Sequence, residues 1–198
     1  MAKSQFYPLE INERTGEPFL RLPSPHDNII ITPPRLEDAP AVIRALNDPR
    51  VYSTLEGPPF PYKQEHAKWW LDHTKGISDE IMQELQQAAD NGSQDLKVVG
   101  GCPVRTLREV QQDGTDIFLG DIGCDRCGYP DVVDPEEKRR LAFANEQLPP
   151  GDKDIVWCIG GMFLGARVSW DDSDIVIRLP CCVPPRQRHH VGRFDHTH

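Results

Sequence analysis

Midway along this chain of 198 residues the spacing of apolar residues changes from a helical period to a period of two. Up to about residue 92 they recur three and four positions apart; from "CPVRTLREV" onward they alternate. A helix buries one stripe and a strand one face, so a chain that switches this way must lay helices on a sheet. The order, a strand and helices followed by an antiparallel meander, predicts an α+β domain around a mixed sheet.

Local signals place the elements. "NIIIT" (Asn28–Thr32) is β-branched and reads as a strand. In "PPRLEDAPAVIRALNDPRV" the residues Ala39, Val42, Ile43 and Leu46 form a stripe on a helix from about Glu37 to Asn47, which Asp48-Pro49 ends. A Pro-rich connection, Leu55–Tyr62, leads to a second helix from Lys63 to Lys75, with Ala67, Trp70 and Leu71 inward and Gly76 as its stop. "SDEIMQELQQAADNG" reads as a third helix with Ser78 as its N-cap. Strand Cys102–Val110, the turn "QQDGT" and "DIFLGDIGCDRC" make a hairpin, Asp113-Gly114 supplying the turn chemistry. "DPEEKRRLAFANEQ" (Asp134–Gln147) is a helical insertion with acids first and bases later, as the helix dipole favours. "DIVWCIGG" is the last clear strand.

Composition narrows the functions. The net charge of −9 and the lack of a dense Lys/Arg stretch disfavour nucleic acid. No apolar run is long enough to span a membrane, and "MAKSQFYPLE" has no apolar leader, so the expected location is cytoplasmic. Six cysteines are then expected as free thiols. Cys124 and Cys127 form a C-x-x-C that, with Cys181, Cys182 and the late histidines, raises a zinc module as an alternative. Strand alternation puts Cys124 and Cys127 on opposite faces, which argues against it, and the expectation is no metal.

Several residues are candidates for a site. Glu37, Asp38 and Glu56 are carboxylates that could meet an amine, although such acids more often cap helices or face water. Trp69 and Trp70 could flank a substrate slot, but one core and one half-exposed ring is the plainer reading. His66 and His73 lie seven apart on one helix face and could be a metal pair or general base, against the commoner surface histidines. Asp121 could face an acceptor. Nothing marks a nucleophile-base pair or a P-loop.

Taken in order, "IIITPPRLEDAPAVIRALNDPRVYSTLEGPPFPY", "EHAKWW", "GDIGCDRC" and "IVWCIG" resemble the GNAT acetyltransferase superfamily. Within it they are most similar to the branch of ribosomal-protein N-terminal alanine acetyltransferases. The carrying positions are Thr32 through Leu36, Asp38-Ala39, Asn47 to Val51, Trp69-Trp70, Leu119 to Gly123 and Trp157 to Gly160. The resemblance implies a GNAT fold over residues 28–161, with residues 1–27 as an extended arm and 162–198 as an aberrant or disordered tail. It implies acetyl transfer from acetyl-CoA to a primary amine, with a protein N-terminus as candidate acceptor; charge and composition, not the resemblance, give the expectation of no membrane or nucleic-acid partner. It makes Trp157, Cys158, Ile159 and Gly160 the strand lining the acetyl-pantetheine slot, Cys158 near the thioester, and leaves the catalytic residues unassigned.

The family holds the coenzyme pyrophosphate on main-chain N–H groups of a loop written R/Q-x-x-G-x-G/A, at a helix start after that strand. Residues 161–198 contain no such pattern. Read one nucleotide later, the codons of "GARVSWDD" admit "LGYHGM", close to the way this branch writes the loop. The resemblance thus implies an incomplete GNAT domain whose pyrophosphate anchor is missing or out of frame. A non-catalytic remnant, or a partner-binding module, is the alternative.

Overall fold

The computed structural model describes residues 4–53, 55 and 57–160. The expected tail and the site of the phosphate loop lie outside these residues, as does Glu56. Among the described residues seven strands and four helices follow in the order β1 (Glu10–Ile11), β2 (Pro18–Arg21), β3 (Ile29–Thr32), α1 (Ala39–Leu46), α2 (Pro49–Tyr52), α3 (Gln64–Asp90), β4 (Thr106–Val110), β5 (Asp116–Asp121), β6 (Gly123–Arg126), α4 (Pro135–Glu146) and β7 (Trp157–Gly160). A 3-10 turn at Leu36–Asp38 leads into α1.

β1 to β5 form one antiparallel sheet in sequence order, and β6 pairs with β7 in a second. The chain is therefore α+β, an antiparallel sheet with helices against it. Only Ile122 separates β5 from β6, and its N–H still donates to the Arg105 carbonyl at 2.7 Å. One extended run, 116–126, thus belongs to two sheets. The hairpin turn between β4 and β5 is the expected one: Gly114 sits at φ +79°, where a side chain would be strained, and Asp113 accepts from the Thr115 N–H.

Helices α1, α2 and α3 share one core. Ala39, Val42, Ala45 and Leu46 of α1 pack with Ala67 and Leu71 of α3, with Val51 and Tyr62, and with Phe118 from the sheet. Ile29, Leu107 and Leu119, with Leu22, Ile31 and Ile122 at their edge, form a separate apolar cluster of sheet residues.

Three expectations fail. The described part of the expected arm, residues 4–27, is not a free extension, since β1 and β2 extend the sheet and Phe19 is buried. Gln5 is buried as well: it donates to the Ser93 and Asp95 carbonyls and accepts from the Lys97 N–H at 2.8 Å, pinning the chain beyond α3.

Secondly, Gly76 does not stop a helix, nor does Ser78 start one; α3 runs through both for 27 residues. Its buried stripe, Ala67, Leu71, Thr74, Ser78, Ile81 and Leu85, continues unbroken across the glycine. Gly76 lies exposed, so its propensity penalty of about 1 kcal/mol is outweighed by burial of that stripe. Ser78 instead donates its hydroxyl to the Pro103 carbonyl at 2.6 Å, inside the protein.

Thirdly, the ladder of β4 begins at Thr106 rather than Cys102. Pro103 has no N–H to give and its carbonyl is taken by Ser78. The helices predicted for 37–47 and 134–147 form with small shifts at their ends, and Asp134 caps α4 by accepting from the Glu136 N–H.

Candidate functional site

Where the extended run changes sheets, β7 lies antiparallel to β6 with Gly160 opposite Gly123 and Trp157 opposite Arg126. Among the described residues β7 has no strand on its other side. Trp157 is half-exposed with the Arg126 guanidinium 5.9 Å from its ring, Cys158 and Ile159 are half-buried, and Gly160 is exposed. α4 fixes this pair of strands through one buried side chain: Asn145 donates to the Val156 carbonyl at 2.8 Å and accepts from the Val156 N–H at 2.9 Å. Arg126 in turn donates to the Asn145 carbonyl at the end of the helix.

Next to Gly123 sits a cluster the sequence reading did not assemble. The Arg105 guanidinium donates twice to Asp121, at 2.9 and 3.0 Å, and lies 5.0 Å from the Trp70 ring centre. A Cβ on Gly123 would fall 2.7 Å from the Arg105 Nη2, so the missing side chain is what admits the guanidinium. Burial pushes the Asp121 carboxyl above its ordinary range, with Arg105 opposing. Burial also pushes the Tyr62 phenol up, helped by the charge of Asp121. Asp121 is thus held by Arg105 rather than facing an acceptor. The Asn-Asp-Pro stretch positions this region: Asn47 exchanges two hydrogen bonds with the Tyr62 backbone, and Asp48 caps α2 from Arg50.

At the other end of the strands a second set of charges is closed in. Arg108, only 3% exposed, pairs with Asp38 and Asp116, and its Nε donates to the Thr32 hydroxyl at 2.8 Å. Arg35 forks between Glu17 and Asp116. These groups adjoin an open cleft of about 760 Å³ between the β1–β2 turn, the Pro33–Glu37 segment and the middle of α3, lined among others by Arg14, Glu37, Lys75 and Met82. Five residue steps of β5 separate Asp116 from Asp121, so the cleft stands roughly 17 Å from the β7 end.

The other candidates disperse. Asp38 is buried against Arg108, while Glu37 is exposed on the cleft wall. Trp70 backs Arg105; Trp69 is 66% exposed and stacks on His73. His66 accepts the Lys63 N–H at the start of α3, so the two histidines make no pair. Cys127 is buried and Cys124 half-buried, and burial pushes the Cys124 thiol up, away from the thiolate that binds metal. Among the described residues no group of three His, Cys, Asp or Glu is placed to hold a metal, and no helix is long and apolar enough to cross a membrane.

The paired arginines escaped notice because their partners are remote in sequence. The available signal was Arg105 and Arg108 in a strand too apolar to face water, which calls for buried acids. Comparison of the chain with protein-family models, curated proteins and solved structures finds no match.

Proposed function

We propose that this chain is built as a GNAT-like N-acetyltransferase of the cytoplasm, for transfer of the acetyl group of acetyl-CoA to a primary amine, and that it lacks the anchor for the coenzyme pyrophosphate. One observation carries the reading. The order of strand, helices, antiparallel strands and last strand ends in β7, which among the described residues has a strand, β6, on one side alone.

In that role backbone N–H groups on the outer edge of β7 meet the pantetheine arm and polarise the thioester carbonyl as negative charge grows on its oxygen. The amine attacks only when neutral, so its proton must first pass to a base or to water. Asp121 is a poor base, being committed to Arg105 on both oxygens. A protein N-terminus is the acceptor we favour, its backbone being the feature all such substrates share.

Calorimetry with acetyl-CoA tests this on two proteins: the chain as it stands, and a version whose codons from Gly165 onward are read one nucleotide later. We expect no micromolar binding by the first and micromolar binding by the second. Binding by neither would reject acetyl-CoA as substrate and leave the partner-binding alternative. Binding by the unaltered chain would reject the missing anchor.

A further inference from the structure

Glu17, Arg35, Asp116, Arg108 and Asp38 form one continuous row of ion pairs running from the β1–β2 hairpin to the start of α1. The row holds three carboxylates but only two guanidiniums. Its inner end is closed from water, with Arg108 at 3% and Asp38 at 8% side-chain exposure; its outer end, Glu17 and Arg35, is about one-fifth exposed. A buried row one positive charge short has a place for a proton.

We propose that this row is a proton-operated clamp on the β1–β2 hairpin, tight when Asp38 is protonated and looser when it is ionised. The geometry supplies the coupling. With Asp38 ionised, Arg108 is divided between Asp38 and Asp116, and Asp116 draws on Arg35, the residue that holds Glu17. With Asp38 neutral, Arg108 serves Asp116 and Arg35 serves Glu17, two bases for two acids. Glu17 also closes the hairpin turn, its carbonyl accepting from the Asn12 N–H at 2.9 Å.

Burial pushes the Asp38 carboxyl above its ordinary range, Arg108 opposing this and Glu37 adding to it. The remaining groups facing the row are the Thr32 hydroxyl from β3 and, around the cleft, Arg14, Lys75 and Asp79. Lys75 and Asp79 neutralise each other at 2.7 Å, and Arg14 donates to the Gly114 carbonyl. Asp38 is therefore the member placed to change charge first. Because Glu17, Arg35 and Asp116 also line the cleft, the state of the clamp sets one of its walls.

Solvent-exchange NMR on the intact chain tests the clamp, read at the Asn12 and Gly16 amides of the hairpin turn. After correction for intrinsic exchange chemistry, protection should be several-fold greater at about pH 4, in the ordinary aspartate range, than at about pH 8. The Gln147 amide, bonded to the Phe143 carbonyl in the distant α4, serves as the control that does not change. Asp38→Asn should give strong protection at both values, and Glu17→Gln weak protection at both. Equal corrected protection in the unaltered chain would overturn the proposal, as would pH dependence surviving in Asp38→Asn. Should Asp38→Asn not fold, pH dependence persisting in Glu17→Gln would overturn it alone.

Discussion

Arg108→Met removes the inner guanidinium while keeping most of the side chain's volume. Asp38 then loses its ion-pair partner at 8% exposure, whereas Asp116 keeps Arg35 at 3.0 Å. Breaking a buried pair from one side costs about 3–5 kcal/mol, because the surviving charge is left uncompensated. Against the roughly 5–15 kcal/mol that holds a domain of this kind together, that is a large loss. Adding Asp38→Leu removes the stranded carboxylate, so the double variant should recover about 2–4 kcal/mol of the loss. Urea unfolding followed by tryptophan fluorescence gives all the corners of this cycle. The loss in Arg108→Met should also shrink as the pH falls, since Asp38 can then take up a proton. A cost below about 1 kcal/mol, or a double variant no better than the single, would show that Arg108 is not the charge holding Asp38 inside.

Gly76→Ala should stabilise the protein by about 0.8–1 kcal/mol, since the position is exposed in mid-helix with open space around it; a loss of stability on unfolding would mean α3 is not continuous there. Gly123→Ala should cost about 1–3 kcal/mol, because its methyl would meet the Arg105 guanidinium, itself held by Asp121 and Trp70; an unchanged melting temperature would refute that packing. The raised Asp121 carboxyl binds a proton more readily folded than unfolded, so its ionisation erodes stability as the pH rises from the ordinary aspartate range through its folded value. Asp121→Asn should remove that slope from a plot of unfolding free energy against pH, and a slope left intact would place the effect elsewhere.

What could be read in the sequence was whatever depends on near neighbours. The α1 helix, the Asp113-Gly114 turn and the helix α4 with its leading acids are each decided within a few residues, and each formed as expected. Gly76 followed by Ser78 is just as local a signal, yet the packing of Ile81 and Leu85 overrode it. β1 and β2 are too short and charged to show a period, and become strands because β3 offers an edge. The site was legible to a lesser degree. Trp70 and Asp121 were picked out singly, but what joins them is Arg105, whose place depends on the bare Cα of Gly123 far along the chain. Arg108 meets Asp38 across seventy positions, and no periodicity foretells such a meeting.

The passage of one strand through two sheets has a mechanical result. A twist of the backbone about Ile122 alters the angle between the sheets at the cost of its hydrogen bond to the Arg105 carbonyl, while the paired residues of both ladders stay joined. β6, β7 and α4, tied together by Asn145, therefore make up the piece that can swing or detach first under mild denaturant, while β3 and β4 stay joined. Any molecule that settled along β7 would feel that motion directly, and by gripping the strand would bring it to rest.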